Sequence, residues 1–149
     1  MVFDNSTYFI SHLKKKKNRF DKTTMVLGKY IDENYGTEQA NAIYNATAPI
    51  RVDDLQGGFI TANSMLHGAF YDVNGDFIPL SGFNEVQFAD VPLNAHTMRL
   101  SLFVGDENAF QVEAGKFATV FEEYEVPEDG IFIPKLIIPK ENTQNEIAT

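Results

Sequence analysis

Residues 97–104 read Thr97-Met98-Arg99-Leu100-Ser101-Leu102-Phe103-Val104. Met98, Leu100, Leu102 and Val104 alternate with Thr97, Arg99, Ser101 and Phe103, and a period of two marks a strand with one buried face. The pattern recurs on both sides of this stretch. Val86 and Phe88 alternate with Glu85 and Gln87, and Phe110, Val112 and Ala114 alternate with Gln111 and Glu113. Further upstream, Ala69 to Val73 and Asp76 to Ile78 flank Asn74-Gly75. Asn-Gly between apolar runs predicts a two-residue type I′ hairpin turn, because both central residues need positive φ. Phe117 to Val126 reads as one more strand. Short strands with turn signals every 8–12 residues or so predict a mainly β fold, an antiparallel β-sandwich or barrel.

Residues 23–31 also read as a strand, followed by a turn over Asp32 to Gly36. Thr37 then offers an N-cap, and Ala40, Ile43 and Tyr44 share a helical face, so a short helix is expected up to about residue 46. Pro49 would stop it, since the residue before proline is pushed out of helical geometry. A second short helix is expected over residues 5–17. Asn5 or Ser6 would cap it, Phe9, Ile10 and Leu13 would line one face, and lysines would fill the last turn, where cations suit the helix dipole. So short a helix is marginal alone and must dock on its own body or on a partner.

The 149 residues fit one domain with terminal arms, and a content of 44% apolar and 22% charged side chains is enough to bury a core. The expected organisation is a basic N-terminal arm over 1–22, a β-rich body over 23–139, and a disordered polar tail over 140–149. Within the body, Ile131-Phe132-Ile133-Pro134-Lys135-Leu136-Ile137-Ile138-Pro139 is strongly apolar but carries two prolines. Proline cannot donate to a central ladder, so this segment reads as an edge strand or an extended arm. It is expected to pack on its own domain or on a neighbouring chain, because a bare apolar edge aggregates.

The net charge of −9 is split along the chain. Residues 1–30 carry 7 basic and 2 acidic side chains, whereas residues 31–149 carry 5 basic and 19 acidic ones. Lys14, Lys15, Lys16, Lys17 and Arg19 form the basic cluster. A basic arm on an acidic body points to a contact with acidic protein, a neighbouring copy among the candidates, or else to a terminus that only aids solubility. Nucleic acid is disfavoured, because the body would repel phosphates.

Motifs for chemistry are scarce. With no cysteine there is no disulfide framework or thiolate metal site. His12, His67 and His96 lack metal-ligand spacing. Asp72 to Asp76 resembles the opening of a calcium loop, yet Phe77 and Phe83 stand where such a loop needs glycine and glutamate. No nucleophile elbow, phosphate loop or dinucleotide fingerprint occurs. Glu122 and Glu123 would point to opposite faces of a strand, so they cannot pair for acid–base work. An enzyme would need His67 or His96 to meet carboxylates through folding. No cofactor and no metal are therefore expected, and no enzymatic activity. No apolar run approaches the roughly 20 residues of a spanning helix, and Tyr8-Phe9-Ile10 precedes the lysines, the reverse of a secretory signal. Two sequons, at Asn5 and Asn45, read as chance matches. Phe70, Tyr71 and Phe77, with Phe83 and Phe88, either pack in the core or form a platform for a carbohydrate or other ligand.

Several fragments resemble one family. They are Val26-Leu27-Gly28-Lys29, Ala42-Ile43-Tyr44-Asn45-Ala46-Thr47-Ala48-Pro49, Met98-Arg99-Leu100, Val104-Gly105-Asp106 and Phe110-Gln111-Val112. Together they are similar to the small head-decoration (capsid cement) proteins of tailed bacteriophages. The lysine arm and the proline-broken segment depart from that pattern and fit another virion protein, such as a head–tail or tail-tube component, equally well. The resemblance implies a virion structural protein, assembled in the host cytoplasm and displayed on the capsid surface or at the head–tail region. It implies oligomers, often trimers, and contacts with the major capsid protein or other virion proteins, with no membrane. The expected contact residues are the basic cluster together with Phe9, Ile10, Leu13, Ile131, Phe132, Ile133, Leu136 and Ile137.

Overall fold

The computed structural model describes residues 17–126. It contains seven strands: β1 (Val26–Ile31), β2 (Glu38–Ala46), β3 (Ile50–Arg51), β4 (Phe59–Tyr71), β5 (Phe83–Asp90), β6 (Thr97–Phe103) and β7 (Val112–Ala114). Helical structure among the described residues is confined to two 3-10 turns, Lys22–Thr24 and Asp53–Leu55. Every ladder is antiparallel. The path runs β1-β2-β6-β4-β5, with β3 added on β6 and β7 on β4. The mainly β, antiparallel architecture is thus present, as one open sheet whose end strands, β1 and β5, are not bonded to each other.

Alternation along β4 and β6 gives this sheet two covered faces. Leu66 and Phe70 of β4 join Met98, Leu100 and Leu102 of β6 in the main core, with Phe20, Val52, Ile60, Phe110 and Val112. Ala69 and Tyr71 point the other way and pack with Ile31 and Ala46, so the β1–β2 hairpin lies over the second face. Polar contacts hold it there. Ile31 N donates to Ser101 Oγ (2.8 Å), and Arg99 pairs with Glu38 (2.7 Å) while its Nε donates to Thr47 O (2.8 Å). The crossing of β4 and β6 is close: a Cβ on Gly68 would stand 2.0 Å from Arg99 O, so this position requires glycine.

Three local expectations are corrected. Residues 38–46 form β2 and not a helix. Pairing with both β1 and β6 outweighs a weak helical pattern. The strand was hidden because its period breaks: Leu27 faces Asn45 but Lys29 faces Ala40, leaving Asn41 to Tyr44 opposite the single residue Gly28. Gly28 takes φ +69° there, and its N–H donates to Asn45 Oδ1 (3.1 Å). The Asn45 sequon is therefore shut inside the sheet.

The second correction concerns Asn74-Gly75, which is not a type I′ turn. Among the central residues only Gly75 has positive φ (+84°). Asp72 and Asp76 close a three-residue loop through Asp72 N to Asp76 O (2.9 Å), and Asp72 Oδ1 accepts from Asn74 N and Asp76 N. A carboxylate oxygen held by its own loop accounts for the Asp72 to Asp76 spelling as turn chemistry. Thirdly, Phe117 to Val126 pairs in no ladder, although it is bound to the body through side chains. The expected helix over 5–17, apart from Lys17, the segment 131–139 and the tail 140–149 lie outside the described residues.

Candidate functional site

Of the expected contact residues, Phe9, Ile10, Leu13, Lys14, Lys15, Lys16, Ile131, Phe132, Ile133, Leu136 and Ile137 lie outside the described residues. Lys17 and Arg19 lie within them and are engaged by their own body. Lys17 Nζ pairs with Glu122 (3.5 Å) and donates to Val120 O. Arg19 grips Asp54 through both terminal nitrogens (2.9 and 2.8 Å) and donates to Arg51 O (3.1 Å). Of the basic cluster, these two described side chains are therefore held by the body itself. The platform reading fails on geometry. Phe70 (1% exposed) and Tyr71 (8% exposed) are buried on opposite faces, and Phe77 packs edge-on against Tyr71.

Two clusters stand out in place of those residues. The first surrounds β7. Gln111 and Glu113 are buried on neighbouring positions, and Asn18 is buried beside them. Glu113 accepts from Gln111 Nε2 (2.8 Å), Thr119 N (2.8 Å) and Thr119 Oγ1 (2.7 Å). Gln111 Nε2 also donates to Thr119 O (3.1 Å) and Val120 O (3.3 Å), and Gln111 Oε1 accepts from Glu122 N (2.7 Å). Asn18 Oδ1 accepts from Phe20 N and Val112 N, while its amide donates to Glu122 O (2.8 Å). This clamp fastens residues 17–20 and 119–122 to the same strand. The described body therefore begins and ends at one place. Buried polar groups that all find partners are stable where a partly satisfied set would not be.

The second cluster surrounds His67. Glu33 Oε1 lies 3.1 Å from His67 Nε2 and accepts from Tyr30 OH (3.2 Å), and His67 Nδ1 lies 2.6 Å from Asn84 Oδ1. The Glu33–Nε2 distance is short, but the angle does not suit a hydrogen bond, so this nitrogen is enclosed without one. The contact is then Coulombic, and an ion pair only when the ring is protonated. Tyr30 is pushed up to about 12 by burial and then by the Glu33 charge, since both oppose a phenolate. Rings continue outward from His67 to Tyr30 (4.5 Å), Tyr44 (4.9 Å) and Phe103 (4.9 Å, stacked). They end at a recess of about 90 Å³ whose lining includes Tyr44, Ser64, His67, Asn84, Glu85, Phe103 and Asp106.

Glu33 and His67 are 34 positions apart, and no spacing rule connects them. The turn over 32–36 brings them together because it rests on Gly82, where a Cβ would meet Glu33 O at 1.6 Å. His96 stays apart, 4.0 Å from an Asp53 already held by Arg51. That contact lowers the Asp53 carboxyl below the usual range, chiefly through the Arg51 hydrogen bond. Among the described residues no group of three or more histidines and acids is placed to hold a metal. No helix there is long and apolar enough to cross a membrane. Comparison of the chain with protein-family models, curated proteins and solved structures finds no match.

Proposed function

We propose that this chain is a non-enzymatic structural protein of a virion, a capsid decoration or other head or tail component that binds neighbouring subunits through its terminal segments. The observation that carries the assembly reading is the clamp around β7. It anchors residues 17–20 beside 119–122, so both ends of the described body are held at one margin of the sheet. The charge split supports it further: 16 acidic and 7 basic side chains fall within residues 17–126, against a basic run just upstream. The phage assignment rests on the family resemblance. Three of the fragments that carry it lie on adjacent strands, in β1, β2 and β6.

A second reading, a composite-site enzyme, is favoured by one observation, the placement of Glu33 against His67. The recess beside the pair is small for a substrate. At about 90 Å³ it is well below the roughly 300 Å³ at which ligand sites begin.

The assembly reading is tested by mass photometry of the purified chain and by electron microscopy of tailed-phage capsids mixed with it. Oligomers and a regular, saturable surface density are expected. A truncation must stop at residue 16, because Asn18 and Phe20 belong to the clamp and core. Removing residues 1–16 should weaken particle binding in a salt-dependent way, and unchanged occupancy would count against the role of the arm. A monomer that decorates no particle would overturn the proposal.

A further inference from the structure

We infer that the recess beside His67 receives a lysine side chain from the Lys14–Lys16 run of a second copy of this chain. The inference rests on the assembly reading and names its partner.

Size sets the first limit. At about 90 Å³ the recess is well below the roughly 300 Å³ at which ligand sites begin, so it suits one slender side chain. The lining sets the chemistry. Phe103 is 54% exposed and stacked on Tyr44, giving an accessible aromatic face. Glu85 and Asp106 stand on the lining, and neither carboxylate has an ion pair or hydrogen bond among the described residues. An aromatic face with unpaired carboxylates recognises an ammonium group, by cation–π attraction and by charge-assisted hydrogen bonds. The body already uses this chemistry once. Lys116 Nζ lies 4.3 Å from the ring centre of Phe59 and 5.3 Å from that of Phe88.

Charge selects the occupant. Four of the seven basic side chains in residues 17–126 are held in ion pairs of the body itself: Lys17, Arg19, Arg51 and Arg99. The densest positive charge in the sequence outside the body is Lys14–Lys16. Made reciprocally, such a contact closes a two-fold dimer; made in one direction only, it builds rings where the rotation closes.

The test uses the full chain and sedimentation equilibrium at low and high salt, with far-UV circular dichroism to verify folding. One variant disables the recess, Phe103→Ala with Asp106→Asn, both at exposed positions. The other disables the donor, with Lys14, Lys15 and Lys16 each changed to Gln. Each is expected to weaken self-association about tenfold. An equimolar mixture should recover association, because one variant keeps the donor and the other the recess. Normal association of the recess variant alongside an impaired lysine variant would overturn the inference and leave the assembly reading standing. Loss in both without recovery on mixing would also overturn it, since the lysines would then act within their own chain. A wild-type chain that stays monomeric at low salt would overturn it as well, and capsid decoration by that monomer would keep the assembly reading alive.

Discussion

The centre of the sheet and its β7 margin are buried to similar degrees by opposite chemistry. On β4 and β6, Leu66, Phe70, Met98 and Leu100 exclude water with apolar side chains alone. At β7, Gln111, Glu113 and Asn18 are as enclosed, and each spends its polar atoms on named partners. Apolar burial is non-directional and scales with area, so the centre tolerates exchange among residues of similar volume. The margin does not, because each lost partner leaves a buried donor or acceptor bare. The centre therefore supplies stability, and the margin determines where residues 17–20 and 119–122 lie.

The largest expected effect is at the centre. Phe70→Ala should cost about 3–5 kcal/mol, read by urea denaturation, since it removes a fully buried ring and leaves a cavity. A loss below about 1 kcal/mol would mean that Phe70 is not part of the shared core.

A smaller and more local effect is expected at the margin. Glu113→Ala deprives Gln111 Nε2, Thr119 N and Thr119 Oγ1 of their acceptor and should cost about 1–3 kcal/mol. Amide exchange at Thr119 and Glu122 should rise, while Leu100 should stay protected. If Leu100 were exposed equally, margin and centre would be one cooperative unit and the comparison would fail.

The smallest effect probes a third environment, the polar contact at the β1–β2 turn. Tyr30 should ionise near 12, above the ordinary tyrosine value of about 10, as followed by ultraviolet absorbance. Because its folded value is raised, its contribution to stability is complete below about 10 and fades as pH climbs towards 12. Glu33→Gln should lower the Tyr30 midpoint by removing the adjacent charge, leaving burial as the main cause. An unmoved midpoint would show that Glu33 does not face Tyr30 in solution.

Legibility followed the same division. Met98, Leu100 and Leu102 could be assigned to one face because alternation is local and uninterrupted. In β2 the four residues opposite Gly28 break the period, and what remained imitated a helix. Nothing in the period of Gln111 or Glu113 marks them as buried, since their partners Thr119, Val120 and Glu122 belong to a segment that follows β7 and pairs in no ladder. The aromatic face was sought at Phe70, Tyr71 and Phe77, where the hairpin gathers aromatics. The exposed Phe103 ring stacks instead on the half-buried Tyr44, and the two meet only because β2 pairs with β6.

The sequence by itself determined the mainly β, antiparallel class, the buried face of β6, the position but not the type of the turn at Asn74-Gly75, and the separation of basic from acidic charge. Each depends on neighbours within a few residues. Only the tertiary structure decided the strand order, the bulge in β2, the clamp around β7 and the meeting of Glu33 with His67. The reason is physical: a side chain's period is set by its own strand, whereas the cost of burying a polar atom depends on a partner that may lie about a hundred positions away, as Glu122 does from Asn18.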